Sequence, residues 1–537
     1  MRLSRHRLLA LAAFVALGSA QARAQPAPLH GLDDHVSRAL RTFGVPGAAV
    51  AVVKDGRVVL AKGYGVRRAG APEPVDAETL FGIASNTKAF TSAALAILVE
   101  EGRVRWDDPV TRHLPGFQMH DPWVSREVTL RDLVSHRAGL GLGAGDLLWW
   151  PGTDVSRSEI VAAIRHIPPA SSMRSRYAYN NVMFVVAGEV VAAVSGTSWD
   201  AFVQQRILAP LGMVRTSTSA PVLVSDRNVA APHLRIGDGV MPVQPGKFDN
   251  AAAAAGISSS ASDLARWLAM LLECGGQPAA GTTCVLKPDS IQELWRAATL
   301  QRVSAPPPAL QATRANFAAY GLGFGLRDYR GHKIVTHGGA LPGYVSRVTL
   351  VPEERLGVAI LTNQEEDGAY SAIQYQVLDA YLGAPTSPVD WVAAFKEERD
   401  AAQAKARQAE AKTTAARTVG SRPSLALERY AGRYRDAWYG DAVVEKDGER
   451  LVLRLVRTPR MVADLEHWQH DAFVARWRER FMSDTAPADA YVTFALKADA
   501  TIERMTLAPV SPAIDFSFDY ADLLFVPVPS AEEPGRD

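Results

Sequence analysis

Cysteine is scarce in this chain: its 537 residues include two, Cys274 and Cys284. A zinc site built on them is not expected, because the two thiols have no histidine near them in sequence and supply only part of a tetrahedral ligand set. They flank a glycine-rich turn (Gly275, Gly276, Gly281), which leaves either a disulfide or two free buried thiols. Net charge is nearly absent too, since 58 Lys and Arg against 57 Asp and Glu leave a formal +1. No basic field is available to release counterions from a nucleic-acid backbone, so no nucleic-acid partner is expected. Long apolar runs are also missing. The run over residues 8–17 falls well short of the ~20 residues a spanning helix needs, and no later segment fills that role, so no membrane span is expected. What remains is 47% hydrophobic and 8% aromatic, enough for more than one globular core.

The short apolar run has the shape of an export leader. Arg2, Arg5 and Arg7 precede it, and Ala22-Arg23-Ala24 offers small residues at the cleavage positions. Residues 1–24 are therefore expected to be a signal peptide, with the mature chain beginning near Gln25 in the periplasm or outside the cell. The arginines are not consecutive and no cysteine follows the run, so neither a twin-arginine signal nor a lipid anchor is indicated.

Beyond the leader, residues 25–384 alternate strand-like and helix-like pieces. Residues 47–53, a Lys54-Asp55-Gly56 turn and residues 58–60 form a hairpin pattern. A helix is expected over 88–101, with Phe90, Ala94, Ile97 and Leu98 on one buried face and Gly102 as its stop. Strand patterns recur at 345–350 and 356–362. Strands at both ends with helices between them predict an α+β domain whose antiparallel sheet is closed by its terminal strands. Residues 385–424 contain a stretch rich in Ala, Lys, Arg, Glu and Gln without a wide apolar face, predicting a helical linker. Residues 425–530 carry short alternating strands and turns such as Asp447-Gly448, predicting a small all-β barrel or sandwich that folds separately from the catalytic site.

Three short motifs carry chemistry. Ser85-Asn86-Thr87-Lys88 opens the first helix, so Ser85 and Lys88 lie one turn apart, about 4.5 Å along the axis. A helix N-terminus brings positive potential and free amides, and burial with that potential lowers a lysine toward neutrality. Tyr179-Asn180-Asn181 precedes an apolar helix and offers a phenol to relay a proton and a carboxamide with both donor and acceptor. Tyr177 lies two residues earlier but lacks the carboxamide at the same spacing. His337-Gly338-Gly339 is followed by Ala340, whose amide is placed to serve as an oxyanion donor, with glycines allowing close backbone approach.

In that order, Ser-x-x-Lys, Tyr-x-Asn and His-Gly-Gly resemble the class C β-lactamase-like serine hydrolases, a family that includes penicillin-binding proteins, D-aminopeptidases and esterases. Leu80-Phe81-Gly82-Ile83-Ala84 is similar to the family's approach to its serine, and Leu130-Arg131-Asp132-Leu133-Val134-Ser135-His136 to its Leu-Leu-x-His segment. Pro210-Leu211-Gly212-Met213, Gly256-Ile257-Ser258 and Tyr320-Gly321-Leu322-Gly323 extend the likeness over the first two-thirds of the chain. The family's spacing to its glycine-containing helix, here Val186-Ala187-Gly188, selects Tyr179 and Asn181. The C-terminal segment looks like a β domain of unknown function often fused to such hydrolases.

The resemblance implies a β-lactamase/transpeptidase-like fold with a helical subdomain. It implies Ser85 as nucleophile, Lys88 and Tyr179 moving the proton, and Asn181, His337, Gly339 and Ala340 binding substrate. The substrate is expected to be a small molecule or peptide with an amide or ester bond: a D-amino-acid peptide, an ester or a β-lactam. No cofactor and no metal are expected, since His467 and His470 lack a third ligand. The family's β-lactamases usually carry Lys-Thr-Gly where this chain has His337-Gly338-Gly339, so a permanent cation for a substrate carboxylate is expected to be missing. An alternative of another class is a penicillin-binding sensor or scaffold that acylates without efficient turnover. Export is checked by N-terminal sequencing of the protein expressed with its leader: the mature chain should start near Gln25, and a chain retaining Met1 would oppose the assignment.

Overall fold

The computed structural model describes residues 27–383 and 388–529, so the leader expected over 1–24 lies outside the described residues. The catalytic domain is built on an eight-stranded antiparallel sheet: β1 (Gly47–Lys54), β2 (Arg57–Gly65), β3 (Thr299–Leu300), β4 (Ala318–Tyr320), β5 (Gly325–Tyr329), β6 (His332–Leu341), β7 (Tyr344–Val351) and β8 (Leu356–Thr362). Their order is β2-β1-β8-β7-β6-β5-β4-β3, so strands from the two ends of the domain lie side by side. The hairpin legible in sequence is present. Asp55 and Gly56 join Lys54 to Arg57 with φ of 52° and 72°, the two-residue turn whose twist suits antiparallel strands.

Helices cover both faces of the sheet, and this is why β1 and β8 are apolar almost throughout. Helices α1 (Leu32–Phe43) and α5 (Asp367–Leu382) pack on one face. On the other lie α2 (Thr87–Glu100), α3 (Val182–Ser195) and α4 (Ala261–Cys274), with shorter helices completing a helical subdomain. The sequence pattern predicts one buried stripe on α2, but every residue from Thr87 to Leu98 is buried, because α3, the short helix Ala252–Ala255 and α4, whose Trp267 stacks on Phe90 at 4.3 Å, surround it. Such a helix has no amphipathic period to betray its surroundings. Cys274, at the end of α4, is disulfide-bonded to Cys284, which settles the fate of the two thiols. Among the described residues no single helix is long and apolar enough to cross a membrane.

The linker is a long helix, α6 (Trp391–Ala415), whose 25 residues span about 37 Å. Trp391 anchors it: the ring stacks on Tyr375 at 4.7 Å and its indole N–H donates to Asp379 at 2.9 Å. Beyond that anchor the helix is largely exposed, as its mixed charges predict.

The C-terminal domain resolves the choice between barrel and sandwich. Eight strands, β9 (Gly432–Asp436), β10 (Gly440–Asp447), β11 (Arg450–Leu455), β12 (Val462–Gln469), β13 (Ala472–Trp477), β14 (Ala490–Leu496), β15 (Ile502–Pro509) and β16 (Leu524–Pro527), pair in sequence order and close through β9 and β16. Up-and-down order puts alternate connections at one end, and those after β11, β13 and β15 all meet the catalytic domain. Arg457 pairs with Asp154 at 2.6 Å, Ser483 donates to Glu365 at 3.0 Å, and the amide of Gly145 donates to Asp519 at 2.9 Å. Alternation reveals a separately folded barrel but not what its loops touch. His467 and His470 lie at the opposite end, where the imidazole of His467 engages the carbonyl of His470 at 2.9 Å.

Trp391 is 1% exposed, so Trp391→Ala is expected to cost about 3–5 kcal/mol. Trp391→Phe, which keeps the stack, should cost less. Denaturation midpoints check this, and an unchanged midpoint for the alanine variant would show that α6 is not packed as described.

Candidate active site

Ser85 stands in a single turn of 3-10 helix, Ala84–Asn86, that runs into α2. Ala84 just before it has φ of 49°, a left-handed conformation costly for a residue with a side chain. Neighbours hold it there. The amide of Ile83 donates to the carbonyl of Ile257 at 2.9 Å, and Ser346 on β7 donates to the carbonyl of Ile83 at 2.8 Å while accepting from Asn86 at 2.8 Å. Gly339 of β6 presses on the same turn, where a Cβ would lie 2.2 Å from the carbonyl oxygen of Ile83. The sequence suggests that Gly339 admits a substrate backbone; in the structure its missing side chain admits the turn that carries Ser85.

Lys88 is completely buried, and its Nζ lies 2.9 Å from Ser85 Oγ, 2.6 Å from Asn181 Oδ1 and 3.0 Å from the carbonyl oxygen of Ala254. A neutral amine has two hydrogens and one lone pair, so donating to Asn181 and Ala254 leaves the lone pair for the serine hydroxyl. Burial pulls the lysine down to about 7, opposed by the charge of Asp146. Tyr179 moves the other way: burial raises it well above 10, opposed by a hydrogen bond with Ser85. Burial thus favours the free amine of Lys88 and the protonated phenol of Tyr179. Of the two, Lys88 is the group able to accept a proton, and Tyr179 remains a protonated hydroxyl beside Ser85.

Asn181 lines the cleft and is held by two hydrogen bonds within the site. Its Oδ1 faces Lys88 and its amide nitrogen donates to Asp146 at 2.7 Å. Asp146 is fully buried and accepts also from the indole of Trp149 at 3.0 Å and from Ser517 at 2.8 Å. Burial pushes its carboxyl up to about 7 against those three donors. Ser517 comes from the barrel loop between β15 and β16, and Phe516 beside it packs edge-on against Tyr179 with ring centroids 5.7 Å apart.

His337 is hydrogen-bonded to Gly338 and Tyr320. Its Nδ1 lies 2.6 Å from the carbonyl oxygen of Gly338 and must carry the hydrogen, so Nε2 accepts from the hydroxyl of Tyr320 at 2.8 Å. Burial, with the charge of Lys88 adding to it, holds His337 down at about 3, so it is uncharged at working pH. His136 lies beneath this group, its ring 4.3 Å from that of Tyr179 and 4.5 Å from that of Tyr320. The sheet exposes the rest of the motif: β5 pairs with β6 only as far as Thr336, so 337–341, including Ala340, have one neighbouring strand and one free edge.

A cleft of about 900 Å³ opens over Ser85 and this edge, and the barrel residues Ser483, Asp515 and Phe516 help to wall it. Two arginines outside the His337-Gly338-Gly339 motif, Arg347 and Arg399, also line it. Arg347 on β7 lies opposite Gly338, its guanidinium carbon 3.4 Å from where a glycine Cβ would stand. The side chain donates to the hydroxyl of Tyr370 at 2.8 Å, and its Nε has no partner among the described residues. Glu365 occupies another part of the cleft, pushed up to about 8 by burial with the charge of Asp515 contributing.

This arrangement of a strained serine turn, a buried lysine and an open strand edge coincides with the region, residues 32–386, that matches the β-lactamase family profile. The chain belongs to the β-lactamase family. Residues 416–527 match a domain of unknown function, DUF3471. Among curated relatives, unguisins hydrolase ungD′ of Aspergillus campestris is 29% identical over 439 residues, covering 78% of each chain. Unguisins hydrolase ungD of Aspergillus violaceofuscus is 28% identical over 497 residues, covering 83% of each. The octameric penicillin-binding protein homologue from Pyrococcus abyssi superposes with a TM-score of 0.58 at 24% identity, over 89% of this chain and 97% of that one. A class C β-lactamase from Rhodobacter sphaeroides gives 0.53 at 22% identity, over 66% of this chain and all of that one. These last two likenesses establish the fold.

Within this β-lactamase fold, all seven residues singled out from sequence line the cleft or its floor. Asp146, Tyr320, Arg347 and Ser517 were not found. Asp146 had a visible signal, an acid between glycine and the apolar run Leu147-Leu148-Trp149-Trp150. Gly339→Ala is expected to push β6 off the serine turn and reduce activity at least about 100-fold, the scale of a small misplacement at a reacting centre. Kinetics with circular dichroism check this; a folded alanine variant with full activity would contradict the close approach.

Proposed function

We propose that this protein is an exported serine hydrolase that works through an acyl-enzyme on amide or ester bonds, its candidate substrates being D-amino-acid peptides, esters and β-lactams. One observation carries the proposal: the amine of Lys88 lies 2.9 Å from Ser85 Oγ with its other two directions taken by Asn181 and Ala254. Ser85 attacks the carbonyl carbon as Lys88 accepts its proton, and Tyr179 passes a proton to the leaving group. The amides of Ser85 and Ala340 are assigned to the oxyanion, and water then attacks the ester, releasing the acid and restoring Ser85.

Arg347 gives the cleft a permanent cation, which favours substrates bearing a carboxylate, β-lactams among them. Two relatives named as hydrolases support turnover over a single acylation. A periplasmic or secreted location is supported by the leader pattern and by the disulfide, which fits an oxidising compartment.

The test is intact mass and rate with p-nitrophenyl esters, D-amino-acid amides and a chromogenic cephalosporin. Ser85→Ala should abolish both adduct and turnover. Lys88→Arg and Lys88→Met should acylate about 10²- to 10⁴-fold slower, because neither offers a free amine. Below about pH 7 the wild-type rate should fall, since the protonated lysine cannot accept the serine proton. Full activity in Ser85→Ala would overturn the assignment, and a burst without steady turnover would indicate the sensor instead.

A further inference from the structure

Between the barrel and the nucleophile runs an unbroken chain of short hydrogen bonds. Ser517 Oγ donates to Asp146 Oδ2 at 2.8 Å, and Asn181 Nδ2 donates to the same oxygen at 2.7 Å. Asn181 Oδ1 then accepts from Lys88 at 2.6 Å, and Lys88 meets Ser85 at 2.9 Å. All the intermediate groups are buried: Lys88 and Asp146 are 0% exposed, Asn181 3% and Ser517 4%. The first link joins positions 371 residues apart and crosses between domains.

The chain has a direction, because a carboxamide is ambiguous by itself. Asn181 can present either oxygen or nitrogen to Lys88, and the nitrogen would oppose an amine that needs an acceptor. An ionised Asp146 removes the ambiguity, since a carboxylate only accepts and so holds the amide nitrogen on its own side. Asp146 keeps that role while donors compensate its buried charge, and one of its three donors belongs to the barrel.

The surrounding backbone is shaped to receive this loop. The amide of Gly145, the residue before Asp146, donates to Asp519 of the barrel at 2.9 Å. Gly143 has φ of 70°, and a Cβ there would stand 2.6 Å from the carbonyl oxygen of Phe516. Its amide donates to the carbonyl of Tyr179 at 2.9 Å, so the 143–146 segment is clamped between the Tyr-x-Asn motif and the barrel.

We propose that Ser517, delivered by the C-terminal barrel, is a positioning residue for the catalytic lysine, acting through Asp146 and Asn181, so that the hydrolase site is incomplete without the barrel. This rests on the assignment of Ser85 and Lys88 above. The titratable groups facing the chain are Tyr179, His136 and His337 around Lys88, and Asp519 beside Asp146. Removing the hydroxyl of Ser517 strengthens the hold of Asp146 on a proton. Neutralised earlier as pH falls, Asp146 then supports the ammonium of Lys88 less, and Lys88 stays a free amine to lower pH.

The experiment is acylation of the full-length protein by a p-nitrophenyl ester between about pH 5 and 9, with Ser85 adduct followed by mass. Ser517→Ala should acylate about 10-fold slower with KM little changed, the scale of one lost hydrogen bond to a charged group. Its acidic limb should move to lower pH, and Ser517→Thr, which keeps the hydroxyl, should recover both features. In an Asp146→Asn background, Ser517→Ala should have no further effect. Wild-type behaviour of Ser517→Ala, an unmoved limb, or the same loss in the Asp146→Asn background would overturn the proposal while the Ser85 adduct stood. Wild-type turnover without a Ser85 adduct would remove the serine–lysine assignment, and this proposal with it.

Discussion

A primary amine taken out of water keeps its proton only where acceptors and negative charge replace the hydration it has lost. Lys88 has three oxygen partners but, among the described residues, no carboxylate within hydrogen-bond distance, and burial brings it down to about 7. Much of the catalytic domain serves that balance. The short helix Ala252–Ala255, α3 and α4 pack around α2, the carbonyl of Ala254 supplies one acceptor, and the rings of Tyr179 and Phe184 lie 4.9 Å and 5.3 Å from the nitrogen. Their π-faces lend the ammonium modest support without a formal charge.

The same desolvation that brings the lysine toward its free amine also silences its neighbours. His337 and His136 are both driven below their ordinary range by burial, with the charge of Lys88 adding to it, so neither competes for the serine proton. They act instead as rigid packing with directed hydrogen bonds. His136 accepts from the amide of Asn180 at 3.0 Å in the middle of the Tyr-x-Asn motif, and His337 receives the hydroxyl of Tyr320. Both tie a motif on one element to another element of the site.

What sequence disclosed and what it hid follow from the range of each contact. Ser85 and Lys88 are one helical turn apart, so their meeting is a local consequence of α2. The Asp55-Gly56 hairpin and the alternating barrel strands are similarly local. Asp146 and Ser517 were not legible because their partners lie 35 and 371 residues away and depend on how the barrel docks. The Arg347–Gly338 juxtaposition depends on the register of β6 against β7, which no single strand pattern specifies. His337 was found but its partner was not, since a histidine's orientation is decided by what packs around it.

The indirect placement of the only anion in the lysine's chain has its own energetic reason. A carboxylate in direct contact with Lys88, at about 4 Å and an effective dielectric near 20, would attract the ammonium by about 4 kcal/mol. That is about three pKa units, nearly the whole of the drop from 10.5 to about 7 that burial produces. A directly paired lysine would hold its proton at neutral pH and could not act as a base. Setting Asn181 between them separates two functions that a single carboxylate would combine. Asp146 dictates which end of the amide faces Lys88, through hydrogen bonds of 2.7 Å and 2.6 Å in series, while its charge stays one side chain further away. Orientation passes through the amide undiminished because it depends on donor and acceptor identity, whereas Coulomb attraction weakens with distance. The site thus obtains a fixed lysine without a permanently charged one.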